Sequence, residues 1–261
     1  MMMMQKSWKS FFLYFGIGII SIATIYPVQK RAIVMAIENE NVQLSLPVEV
    51  VTILSLMNPL FLLVIGLLLG MFLADKVQLT SFLFRNWEKG SFLTGLTKGW
   101  KQGIGSGLAL GIFMISFDVL LRPWLPEVFQ SSFEQPQLYD LLMAILYGGI
   151  VEEIMMRWGL MTLFVFFIWK LFFRRKSTPP KYAYIIAIVA SAFFFSIGHY
   201  GATATLTEMT PLVWIRMFIL NGAGGIVFGW LYWKFQLETA MIAHIFTHIT
   251  MFIITMILSI I

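Results

Sequence analysis

Glu152, Glu153 and Arg157 fall within six residues in the middle of the apolar stretch 138–175. A charged side chain at bilayer depth costs at least about 2.5–3.5 kcal/mol, so such a group demands polar partners. The chain's three histidines, His199, His244 and His248, lie within or at the ends of apolar segments further on. Glu153 and Arg157 are four residues apart and can pair on one helix face. Glu152 points about 100° away from its neighbour and is left as the free carboxylate. A carboxylate held in an apolar cavity suits a general base for water; a charge network that only fixes helix packing is the alternative. His244 and His248, also four apart, share a face and suit metal binding, hydrogen bonding to an oxyanion, or packing. His199 follows the run Phe193–Gly198, where a hydrogen-bonded structural histidine competes with a catalytic one. The three histidines and the one Glu-Glu pair embedded in apolar sequence fall on three different predicted helices, as expected of a buried site.

The rest of the chain must position these groups. Of 261 residues, 59% are hydrophobic and 12% charged, against about 25% charged for a soluble domain. The expected fold is therefore an all-α, polytopic transmembrane bundle of seven or eight helices forming a single integral-membrane domain over residues 1–261. There is no cysteine, which excludes disulfides and thiolate chemistry. The net charge of +5 resides in short loops between apolar runs. There it sets topology, and a nucleic-acid partner is not expected.

In chain order, a first span is expected around Phe11–Pro27, which no small-residue cleavage site follows as it would a signal peptide. A polar loop over Lys30–Glu49 precedes a second span, Val50–Leu73, with a kink at Asn58-Pro59 and a close-approach pair at Gly66 and Gly70. Ala74–Lys101, with Trp87, Lys89 and Trp100, reads as a loop along the headgroups. The third span, Gln102–Leu121, carries a packing stripe at Gly103, Gly107 and Gly111, and Asp118 can pair with Arg122. Arg122–Gln137 is turn-like. Leu138–Phe173 is too long for one perpendicular span and must tilt, kink near Gly159 or protrude. Tyr182–Tyr200, Leu212–Trp233 and Glu238–Ile261 complete seven crossings, with the N-terminus and the Lys/Arg-rich loops cytoplasmic.

The chain resembles the CPBP intramembrane proteases, which include the CAAX prenyl endopeptidases and bacterial bacteriocin-immunity proteins. Glu152-Glu153-x-x-x-Arg157, Phe195-x-x-x-His199, and His244 with a polar residue four later carry the likeness, over about residues 138–252. His248 stands where the family usually has Asn, and Met156 where an aromatic residue is common. The resemblance implies hydrolysis of a peptide bond in a membrane-associated peptide or protein, within the lipid bilayer of a bacterial plasma membrane. By that likeness Glu152 and His199 orient and deprotonate water, His244 and His248 stabilise the oxyanion, and Glu153 and Arg157 support the site. It also leaves open a metalloprotease-like reading, with zinc held by Glu152, His199, His244 and His248. A non-catalytic scaffold or regulator of the same fold, binding a membrane partner, is the alternative. A proton-coupled transporter would show inverted repeats and paired broken helices, which are not seen. One geometric demand stands out: His199 lies far along its helix from the basic loop at 174–181, whereas His244 is about two turns past the turn at Lys234–Leu237. Tilt, or late entry into the bilayer, must bring them together.

Overall fold

A computed structural model describes residues 7–40, 45–86, 98–130 and 137–260. Its elements are α1 (Trp8–Ala23), α2 (Tyr26–Glu40), α3 (Val48–Ser55), α4 (Met57–Leu73), α5 (Phe82–Asn86), α6 (Trp100–Leu121), α7 (Glu127–Gln130), α8 (Leu138–Phe172), α9 (Lys181–Gly198), α10 (Tyr200–Ala204), α11 (Pro211–Lys234) and α12 (Leu237–Leu258). No strand occurs among the described residues, so the chain is an all-α bundle. Among the described residues six helical stretches are long and apolar enough to cross a membrane; the bent pair α1–α2 makes seven.

Small residues decide which helices meet. The stripe Gly103, Gly107 and Gly111 on α6 lies against Thr239, Ala243, Thr247 and Thr250 of α12. Residue numbers rise together along that seam, so α6 and α12 run parallel, as a third and a seventh crossing must. Gly225 of α11 touches Ala192 of α9 and Gly229 touches Ile188, an antiparallel pair. On α4, Gly66 abuts the backbone of Ile154 and Met155, and Gly70 takes the indole of Trp158. Without side chains at these points, backbones approach closely enough for van der Waals contact to hold helices together in lipid.

Several sequence expectations are corrected. The Lys30–Glu49 segment is not a loop throughout: α2 continues to Glu40 after a 43° bend from α1, because no helix breaker intervenes between Pro27 and that point. Lys30 reaches Glu49 at 2.8 Å across the α2–α3 connection. The break in the second span falls at Leu56, because Pro59 cannot tolerate a helical carbonyl four residues before it. Asp118 pairs with Arg216 of α11, not with Arg122, through two contacts of 2.6 and 2.8 Å. A guanidinium arriving from a facing helix offers a bidentate fork to the carboxylate, and Arg216 also lies over the ring of Phe129. The headgroup loop is described only in part: a tight turn spans Asp75–Val77, α5 follows, and Trp87 and Lys89 lie outside the described residues.

A second buried carboxylate ties the entry of α12 to α1 and α5. Glu238 accepts from Tyr14 Oη (2.9 Å), Ser81 Oγ (2.6 Å), and the backbone N–H groups of Phe82 (2.9 Å) and Leu83 (3.1 Å). The Leu237 N–H donates to the carbonyl of Thr80 at 3.0 Å. Four donors on one carboxylate compensate its removal from water.

Candidate active site

The centre of α8 is wound as π-helix over Ala144–Glu152 and again over Ile154–Met161. Winding with i→i+5 bonds is rare and marks places where a helix's side chains are re-aimed. The long segment runs as one continuous helical stretch over Leu138–Phe172, and Gly159 packs against Gly66. Where ordinary α-helix resumes, Thr162 Oγ1 donates to the Arg157 carbonyl at 3.1 Å and meets the Tyr232 hydroxyl at 2.9 Å. These bonds hold a carbonyl that the altered winding displaces from the usual ladder.

Glu153 faces the interior and is fully buried. Its Oε1 lies 3.0 Å from Nη1 of Arg157 and 2.8 Å from Nδ1 of His244. Arg157, 1% exposed, is covered by two aromatic faces, Phe195 at 4.6 Å and Phe228 at 5.3 Å from its guanidinium carbon. Rings present their negative faces to the cation, so a buried charge is held by one carboxylate and two π systems. Glu153 thus touches a guanidinium and a histidine through one oxygen. Glu152 is half-buried, and no described residue hydrogen-bonds its carboxylate. It acts electrostatically on His244, Arg157 and Tyr147.

His244 stacks between Phe228 (4.5 Å between centroids) and His248 (4.9 Å). A Cβ on Gly148 would lie 3.1 Å from Nε2 of His248 and 3.4 Å from Nε2 of His244. Both imidazole nitrogens thus border one niche on α8, which stays open because residue 148 has no side chain. His199 closes α9, and its Nδ1 lies 2.8 Å from the Phe195 carbonyl. A carbonyl only accepts, so that Nδ1 carries the hydrogen and Nε2 of the neutral ring presents a lone pair.

The separation of His199 and His244 along their helices is bridged by Phe195. Its ring centroid is 4.7 Å from that of His199 and 6.1 Å from that of His244. Side chains on a helix lean toward its N-terminus, so the His199 ring folds back over the preceding turn. Phe195 thus sets the His199 ring beside that of His244. The four residues singled out as catalytic share one neighbourhood. Among the described residues no three His, Asp or Glu side chains are grouped as metal ligands.

Residues 134–250 match the family described as type II CAAX prenyl endopeptidase Rce1-like. This part of the chain is Rce1-like. The match contains Glu152, Glu153, Arg157 and all three histidines, and at the level of the family it supports a CAAX-protease-type membrane endopeptidase. No curated protein and no solved structure matches the chain.

Sequence reasoning missed two residues that border the candidate site. Gly148 sits in a glycine pair that reads equally as a packing contact, and Phe228 is one of 25 phenylalanines. Neither has a spacing that distinguishes it. The contact of Glu153 with His244 was likewise invisible, because 91 residues separate the two.

Proposed function

We propose that the protein is an intramembrane endopeptidase that hydrolyses a peptide bond in a membrane-associated peptide or protein. The observation carrying this reading is the niche at Gly148, bordered by Nε2 of His244 and of His248, beside the unbonded carboxylate of Glu152. A substrate carbonyl in that niche would have two imidazole edges at its oxygen.

In this mechanism Glu152 removes a proton from water that also hydrogen-bonds the Nε2 lone pair of His199. The oxygen adds to the carbonyl carbon, and the C=O electron pair moves onto oxygen. The resulting oxyanion accepts from Nε2–H of His248, the role an Asn amide plays at that position in the family. His244 contributes a second N–H when it is imidazolium. The Glu153 carboxylate at its Nδ1 stabilises that state. The tetrahedral intermediate collapses, and Glu152 returns its proton to the leaving amine nitrogen. Glu153 and Arg157 are positioning residues that set the His244 ring.

The basic loop 174–181 and the N-terminus lie on the cytoplasmic side of a bacterial plasma membrane in this reading, by the excess of Lys and Arg there. The test is cleavage of candidate membrane peptides by purified wild type, Glu152→Ala and His199→Ala. Loss of cleavage in both variants, with unchanged thermal unfolding in detergent, supports the mechanism. Cleavage that survives in both overturns it, and a folded wild type inert toward every peptide favours the scaffold reading.

A further inference from the structure

One end of the bundle gathers exposed cations from four separated parts of the chain. Lys76 follows α4, Lys170 lies in the last turn of α8, Lys176 and Lys181 flank the start of α9, and Lys234 ends α11; all five are exposed. Contacts between the elements bring them together. Lys76 Nζ sits over Phe166 of α8 at 5.7 Å. The Tyr184 hydroxyl of α9 donates to the Val77 carbonyl at 2.8 Å, and its ring stacks on Trp233 of α11 at 5.0 Å. Trp169 Nε1–H donates to the Lys176 carbonyl at 3.0 Å, folding the loop 173–180 back beside α8. Lys170 and Lys234 each lie over the tryptophan that precedes them, at 3.7 and 3.6 Å.

None of these five ammoniums has an ion-pair partner among the described residues. The acids of this end are Asp75, which has a partner, and Glu238, whose carboxylate is buried under four hydrogen bonds. Setting topology requires only that the loops be basic. It does not require that cations from four linked segments each lie over an aromatic side chain at one end of the bundle. A cluster of ammoniums interleaved with tryptophan and tyrosine at headgroup level has the chemistry of a phosphate-binding surface, with rings seated among the glycerol and acyl groups.

We infer that the Lys76, Lys170, Lys176, Lys181 and Lys234 surface binds the phosphate headgroups of anionic phospholipids. The protein would thereby collect such lipids around α8, α9 and α11, the helices that carry Glu152, His199 and Phe228. The inference is independent of catalysis, because its readout is lipid retained by the protein.

The experiment uses full-length protein in nanodiscs of phosphatidylcholine mixed with phosphatidylglycerol, released and weighed by native mass spectrometry. Wild type should retain phosphatidylglycerol in preference to phosphatidylcholine, and the preference should collapse in high salt, where charge is screened within about 3 Å. Each cation near an anionic surface is worth about fivefold in partitioning. The quadruple variant K170Q/K176Q/K181Q/K234Q should therefore lose at least about tenfold of the preference. K30Q/R31Q on α2 should keep it. Inorganic phosphate added to pure phosphatidylcholine discs should leave no adduct, which distinguishes headgroups from the free ion. Equal retention by wild type and the quadruple variant, or a preference indifferent to salt, overturns the inference. All four lysines are exposed, so the variant should unfold at the wild-type temperature in detergent, and that measurement accompanies the lipid assay.

Discussion

Nδ1 of His244 lies 2.8 Å from Oε1 of Glu153, and the same oxygen is 3.0 Å from Nη1 of Arg157. One buried carboxylate oxygen therefore orients a candidate catalytic ring and neutralises a buried guanidinium. Removing either partner leaves the other charge in apolar surroundings, which costs more than the interaction itself contributes.

Arg157→Ala should lower stability by about 3–5 kcal/mol, since it strands the Glu153 carboxylate. Thermal unfolding in detergent would measure this. A midpoint unchanged from wild type would mean that the pair is not buried as described.

Glu153→Gln keeps the shape but removes the charge that favours imidazolium at His244. Cleavage should fall about 10- to 100-fold, the range for a group that orients a reactive ligand or ring from behind. The pH–rate profile should also change shape, a readout that a merely structural residue would not move. A profile superimposable on wild type after scaling would show that Glu153 acts on the fold alone.

His248→Asn restores the residue usual in the family and should retain cleavage, because an amide also donates a hydrogen. His248→Ala removes the donor and should cost about 10²–10³ in turnover, as loss of one oxyanion donor does. Comparable activity for the Ala and Asn variants would remove His248 from the site.

Gly148→Ala places a methyl carbon 3.1 Å from Nε2 of His248 and 3.4 Å from Nε2 of His244. It should depress cleavage sharply while the unfolding temperature moves little, since the histidine rings can yield. Gly149→Ala, by contrast, drives a methyl into Ile245 and should destabilise by about 1–3 kcal/mol, as overpacking does. If both variants unfold early and neither spares activity, the niche is packing and not a site.

Glu238→Ala removes the acceptor for Tyr14, Ser81, Phe82 and Leu83 at once. Each stranded buried donor costs about 1–3 kcal/mol, so this variant should be among the least stable single substitutions in the chain. Expression and thermal midpoint beside Glu49→Ala, an exposed acid, give the comparison. Equal midpoints for the two would refute the clamp.

The spans, the all-helical fold and the two glycine stripes were legible in the sequence because each rests on a local cause: an apolar run long enough for a bilayer, or small residues at fixed spacing on one helix face. The six polar residues of the candidate site could be singled out for the same reason, since polar groups in such runs are costly wherever the helix goes. Their partners were not legible. Asp118 lies four residues from Arg122 yet takes Arg216, 98 positions on, because the α6–α11 packing presents a guanidinium in the plane of the carboxylate. Glu153 meets His244, and Gly148 faces two imidazoles, through the seating of α12 against a π-wound α8. Sequence spacing determines which side chains share a helix face; only the packing of one helix on another decides what that face meets.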